Sequence, residues 1–265
     1  MLRGTFADGS TRFQLNGQPV FHMAGLGTFA QQVVVPSAAA VRIPNSIPIA
    51  QAALLGCGVL TGYGAVVNTA RLEPGETVAV VGCGGVGLNA IQGARIGHAS
   101  QIIAIDPRED RLALARELGA TCALVPDETN VKIIRDMTGG RGVDVAIEVA
   151  GRQATIDDAI RMTRPGGRAV IVSAPDRSVL LNVPVFNGLV MTEKTIKGSL
   201  YGSSHVQSDV GHLASLFETG QLIHDKLVTA SFDLDHINDA IAYCAAERGA
   251  RAVVTFQGLP SPLHA

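Results

Sequence analysis

The stretch 77-TVAVVGCGGVG-87 constrains the fold of this chain more than any other. TVAVV reads as a buried strand, the glycines of 82-GCGGVG-87 turn the chain, and GGVGLNAIQGARIG opens a helix. A second apolar run, QIIAID (101–106), ends in Asp106, nineteen positions after Gly87. Strand, glycine turn, helix, strand and acid in this order make a βαβ unit with a dinucleotide fingerprint. Gly82 permits the tight turn, Gly84 lets the backbone approach a pyrophosphate, and Gly87 allows helix to pack closely on strand. The helix start, Gly85, Val86 and Gly87, offers unpaired N–H groups and a partial positive charge to phosphates. Asp106 can accept hydrogen bonds from both ribose hydroxyls while its charge repels a 2′-phosphate, so NAD is expected over NADP. Arg111 has two readings: a group bonding the ribose or accommodating a 2′-phosphate, or part of a solvated helix face.

The alternation continues. PREDRLALARELGA reads as a helix with Pro107 near its start and Gly119 as its stop, and VDVAIEVA (143–150) and GRAVIVSA (167–174) read as two further buried strands. Strands separated by helices imply a doubly wound parallel sheet. Outside this block, TFAQQVVV (28–35) and AAAVRIP (38–44) look like paired strands, and IPIAQAALLGCG like a short helix. LGCGVLTGYGA (55–65) reads as a glycine-rich turn holding a lone cysteine, Cys57. Near the end, Ile237, Ala240, Ile241 and Cys244 fall at i, i+3, i+4 and i+7, which predicts that Cys244 faces a core. ARAVVTF (250–256) is a final strand.

Composition narrows the function. Lys plus Arg is 21 against 23 Asp plus Glu, a net charge of -2, so no basic face for nucleic acid is expected. The four cysteines, Cys57, Cys83, Cys122 and Cys244, show no CxxC spacing, which argues against a disulfide framework or a self-contained zinc knuckle. No apolar leader is visible and no run approaches the ~18 apolar residues of a membrane span. A cytoplasmic protein handling small molecules is the expectation.

The succession GTFADGSTRF, GLGTFAQQVVV, LLGCGVLTGYGA, VAVVGCGGVGLNAIQGARIGHASQIIAID, DVAIEVAG and RAVVTF resembles the zinc-dependent alcohol dehydrogenases of the medium-chain dehydrogenase/reductase superfamily. It is most similar to the class III-like branch, the glutathione- or mycothiol-dependent formaldehyde dehydrogenases. The resemblance runs through essentially the whole chain, and LxGCGxxTGYGA is far more specific than GxGxxG. It implies NAD and zinc as cofactors, and hydride transfer between an alcohol, aldehyde or S-hydroxymethyl thiol and nicotinamide. It also implies an α/β Rossmann domain (59–201) inserted in a mainly β, GroES-like catalytic domain, of which 1–58 and 202–265 are parts.

By the same resemblance Cys57 is a catalytic zinc ligand and Thr61 packs against the nicotinamide. Val172, Ser173 and Ala174 reach the carboxamide, and Arg251 closes on the pyrophosphate. Homodimers form by joining coenzyme-sheet edges, with FNGLVMTEKTIKGS (186–199) as the matching region. The family's other zinc ligands and its proton relay belong to an N-terminal third that precedes MLRGTFADG, so the chain is expected to lack that third and to hold an incomplete zinc site. None of His22, His98, His205, His212, His224, His236 and His264 sits in a ligand-matching segment. His22 lies in FHMAGLG, which is expected to line the pocket. Met23 and Ala24 match the pocket wall loosely. Two other readings stand beside the enzyme: an NAD-binding chain without metal chemistry, and a zinc-free quinone or enoyl reductase, against which LxGCG and GTFADGSTRF argue.

Overall fold

A computed structural model describes residues 4–6, 8–11, 13–22, 26–246 and 248–256. Met23, Ala24 and His264 lie outside the described residues. The chain opens with a small antiparallel hairpin, β1 (Phe13–Leu15) and β2 (Gln18–Val20), turned by Asn16 and Gly17, both at positive φ.

The expected strands at 28–35 and 38–44 do not form; 37–39 is a single tight turn and the rest is irregular. A strand needs a neighbour to take its backbone hydrogen bonds. None lies beside this segment among the described residues, and Val34 stays 89% exposed.

The glycine-rich stretch is not a turn either. Helix α1 runs unbroken from Ile49 to Ala70, widening into π-type turns over 55–59 and 65–70. It stops where Arg71 adopts a left-handed conformation. At 22 residues α1 is long and apolar enough to cross a membrane, contrary to the sequence expectation, but it is a core helix with 61% of its apolar window buried. The expected boundary between 58 and 59 falls inside it.

Six strands then build one parallel sheet: β3 (Thr77–Val81), β4 (Gln101–Ile105), β5 (Cys122–Leu124), β6 (Val143–Glu148), β7 (Thr163–Ile171) and β8 (Thr195–Gly198). Their order is β5-β4-β3-β6-β7-β8, each pair parallel. Between them lie α2 (Gly85–Ile96), α3 (Glu109–Leu118), α4 (Asn130–Met137) and α5 (Gln153–Met162).

Successive strand residues feed opposite cores, which is why β3 and β4 carry apolar residues at consecutive positions, 78–81 and 102–105. Val78, Val80, Ile102 and Ile147 pack with Val59, Leu60 and Leu88, whereas Ala79, Val81, Ile103 and Ile105 pack with Ile134 and Met162. The sheet is therefore the doubly wound α/β fold expected of the dinucleotide fingerprint.

Helix α6 (Val206–Glu218) buries Val210, Leu213 and Leu216 in the first of these cores. Then β9 (Val228–Asp233) and β10 (Arg251–Thr255) pair in parallel, with α7 (Ile237–Ala245) between them. On α7 only Ala240 is buried, and Ile241 and Cys244 are exposed. Cys244 was expected in a core, but α7 covers only a two-stranded sheet, too narrow to bury a full helical stripe.

Candidate functional site

The order of the sheet reverses between β3 and β6, and a cleft opens at the carboxyl ends of these strands, where doubly wound sheets hold ligands. It has a volume of about 600 Å³ and is lined by Gly82, Gly84, Asp106, Arg111, Arg152 and Asp158 among others.

Its floor is built by glycines. Gly82 has φ +97°, a left-handed conformation that a side chain resists. Gly87 lies directly on the carbonyl of Gly82, and a methyl group there would collide with it. Gly84 faces open space and precedes α2 with no side-chain cap. The first intrahelical bond runs from Leu88 N–H to Gly84 O at 2.9 Å, so the N–H groups of Gly85, Val86 and Gly87 project from the helix end.

Asp106 is buried in the cleft wall. One carboxylate oxygen accepts the Cys83 N–H at 2.7 Å and the other the Arg108 N–H at 2.9 Å. Arg111 stands 3.7 Å from the carboxylate and donates through Nε to Gly249 O at 3.3 Å, so it is not on a solvated helix face. Burial, then the charge of Asp106, pushes the Cys83 thiol up to about 12. Cys83 is thereby a neutral core residue.

Arg251, from β10, lays its guanidinium across the start of α2. A methyl group at Gly58 would sit 2.7 Å from its Nη2, and one at Gly85 would overlap its Nε. The glycines of LGCGVLTGYGA are thus contact points. Gly58 admits Arg251, Gly62 lies against Val86 O and within 2.8 Å of Ala90 N for an added methyl, and Gly64 faces Gly202. They bring α1 onto α2, with Cys57 and Thr61 each next to one of these contact glycines in sequence. Cys57 is exposed and Thr61 half-buried.

Sequence reasoning missed Glu148, whose side chain is fully buried at the end of β6. Its Oε1 accepts the N–H groups of Ala150 and Gly151 at 2.9 and 2.7 Å and the Thr155 hydroxyl at 2.8 Å; its Oε2 accepts the Ser173 hydroxyl. Its carbonyl takes the N–H groups of Val172 and Ser173 at 2.9 and 3.3 Å. One residue therefore ties together the loops after β6 and β7. Arg152 and Asp158 were missed as well; burial holds the Asp158 carboxyl above its usual range.

A model of the zinc-binding dehydrogenases matches residues 85–219, just over half of the chain. The chain belongs to the zinc-binding dehydrogenase family. A Mycobacterium tuberculosis relative carrying the name alcohol dehydrogenase D is 34% identical over 259 residues, covering 96% of this chain and 70% of its own length. A zinc-binding-domain alcohol dehydrogenase protein from Burkholderia ambifaria superposes with a TM-score of 0.77 at 35% identity, over 82% of this chain. Benzyl alcohol dehydrogenase from Acinetobacter calcoaceticus gives 0.76 at 31% over 81%. The chain spans 58% and 59% of those two structures.

No group of three His, Cys, Asp or Glu side chains gathers as a metal site among the described residues. His22 is buried against Phe6 and Phe13, with ring centroids 4.6 and 5.4 Å away. His212 bonds the Tyr63 hydroxyl at 3.1 Å, His205 lies beside Ser208 and His236 beside Asp233. His98 turns the chain after α2 at φ +59°. A zinc site takes three or four protein donors. Cys57 with the described residues does not fit one.

Proposed function

We infer that this chain supplies the NAD-binding half of a dehydrogenase that interconverts alcohols and aldehydes, or S-hydroxymethyl thiol adducts. One observation carries the coenzyme reading. The Arg251 guanidinium rests on the end of α2 that presents unpaired N–H groups, with no carboxylate paired to it among the described residues. A cation at the positive end of a helix is unfavourable by itself. A diphosphate between the two satisfies both, and Gly84 leaves the room.

When bound, the dinucleotide supplies the hydride acceptor. Asp106 accepts from the ribose hydroxyls with the lone pairs left after Cys83 and Arg108, and its charge selects NAD over NADP. Glu148 keeps the two loops at the cleft rigid, and with Val172 and Ser173 N–H committed, Ala174 N–H and the backbone carbonyls are left for the carboxamide. Thr61 fixes the ring face presented to substrate from its place one turn after Cys57. A homodimer forms through β8, the sheet edge, beside which Phe186, Val190 and Met191 are exposed.

The exposed, isolated Cys57 favours a second reading, an NAD-binding chain that performs no metal chemistry. Calorimetric titration with NAD, together with zinc analysis and NAD reduction by simple alcohols and S-hydroxymethyl thiols, separates the two. NAD binding with zinc-dependent turnover supports the first reading. Binding with neither zinc nor turnover supports the second, and absence of NAD binding removes both.

A further inference from the structure

A second cavity, of about 440 Å³, lies at the opposite end of the parallel sheet, where β6 and β7 begin. It is lined by Arg135, Gly140, Arg141, Arg164 and Pro165. Arg135 comes from the last turn of α4, Arg141 from the loop before β6, and Arg164 from the start of β7. Three guanidinium groups from three separate elements thus share one concavity.

The charges are not balanced from within. Asp144 pairs with Arg164, Nε to Oδ1 at 2.5 Å, while its other oxygen takes the Thr77 N–H and hydroxyl at 2.7 Å each. Arg164 also donates to Pro165 O at 2.7 Å, and Arg135 to Arg161 O at 2.9 Å. Arg141 makes no side-chain bond among the described residues. The negative end of α4 offsets part of the Arg135 charge. A surplus of positive charge remains, and it reaches Lys194, whose ammonium is held below its usual range by burial and then by Arg135. The loop itself curls through Gly139, Gly140 and Gly142 at φ +64°, +82° and +101°, which keeps Arg141 over the opening.

We propose that this arginine-lined cavity binds a phosphorylated small molecule, its phosphoryl oxygens held by Arg135, Arg141 and Arg164. Guanidinium forks match phosphoryl oxygens two at a time, and the volume lies within the range of small-molecule pockets. The proposal is independent of the coenzyme cleft, which lies at the other end of the strands.

The test is calorimetric titration of the full chain with inorganic phosphate, against chloride at matched ionic strength. Saturable binding is expected, weakened at least about ten-fold in Arg135→Gln/Arg141→Gln and measurably in Arg141→Gln alone, and unchanged in Arg42→Gln, an exposed arginine that lines neither cavity. Arg141 is exposed and its side chain makes no bond among the described residues, so its substitution is expected to leave the fold intact, checked by the thermal midpoint. Phosphate binding no stronger than chloride, binding indifferent to both cavity variants, or binding lost in Arg42→Gln would overturn the proposal.

Discussion

Residues 77–106 and the face of α1 around Cys57 lie side by side, with Gly62 of α1 packed on Val86 and Ala90 of α2, yet they are built in opposite ways. In the first, every element is closed by its neighbours: Gly87 rests on Gly82, Asp106 holds Cys83 and Arg108, and the strand is buried on both faces. In the second, Gly58 meets Arg251 while the adjacent Cys57 is exposed, with no donors gathered around it among the described residues. A site assembled from contiguous strand, turn and helix carries its own partners. A metal site drawn from distant segments has only what those segments bring.

Substitutions can break this contrast. The largest effect is expected at Gly62→Val, where the side chain meets α2 backbone: a loss of about 3 kcal/mol or more in urea unfolding, or failure to fold. If the stretch were a turn, this change would cost little. Next, Asp106→Ala removes the charge and the ribose acceptor together, and NADH affinity should fall by about ten- to a hundred-fold in a fluorescence titration. Arg251→Gln should weaken NADH about ten-fold and flatten its salt dependence.

A smaller effect concerns the seam where the segment after α6 docks on α2. There His224 is fully buried against Phe217, both ring nitrogens unpaired, and burial lowers it to about 4. Asp225 opposes that shift, Gln92 bonds the neighbouring Ile223, and no other charged group is brought against the ring in the described contacts. The folded state resists protonation that the unfolded state accepts at its ordinary value of 6.5. Stability is therefore complete above pH 6.5 and lost as pH falls toward 4, and His224→Phe should flatten that acid limb in thermal scans. The smallest effect is expected at Cys57→Ser, which should leave the unfolding midpoint unchanged with or without added zinc; a zinc-dependent rise lost in Cys57→Ser would expose missed donors.

The cradle was legible because its signal is local. The spacing of Gly82, Gly84, Gly87 and Asp106 is set by one turn, one helix and one strand. Glu148, Arg152 and Asp158 were not legible, because sheet order alone brings them beside Gly82. The glycines of α1 misled, since a helix packed backbone to backbone on another uses the same residue as a turn; only the contacts of Gly62 with α2 distinguish them. The strands expected at 28–44 and the core position expected of Cys244 failed for another reason. Apolar periodicity marks a face, and whether that face is covered depends on partners that periodicity does not contain.

The proposed function puts one NAD in the cleft at the carboxyl ends of β3 and β6. Fluorescence titration with NADH and NADPH tests it most directly. Saturable binding of one NADH per chain is predicted, with NADPH weaker by at least about ten-fold because Asp106 repels the 2′-phosphate. No saturable NADH binding by the folded chain, or NADPH binding as tightly as NADH, would contradict it.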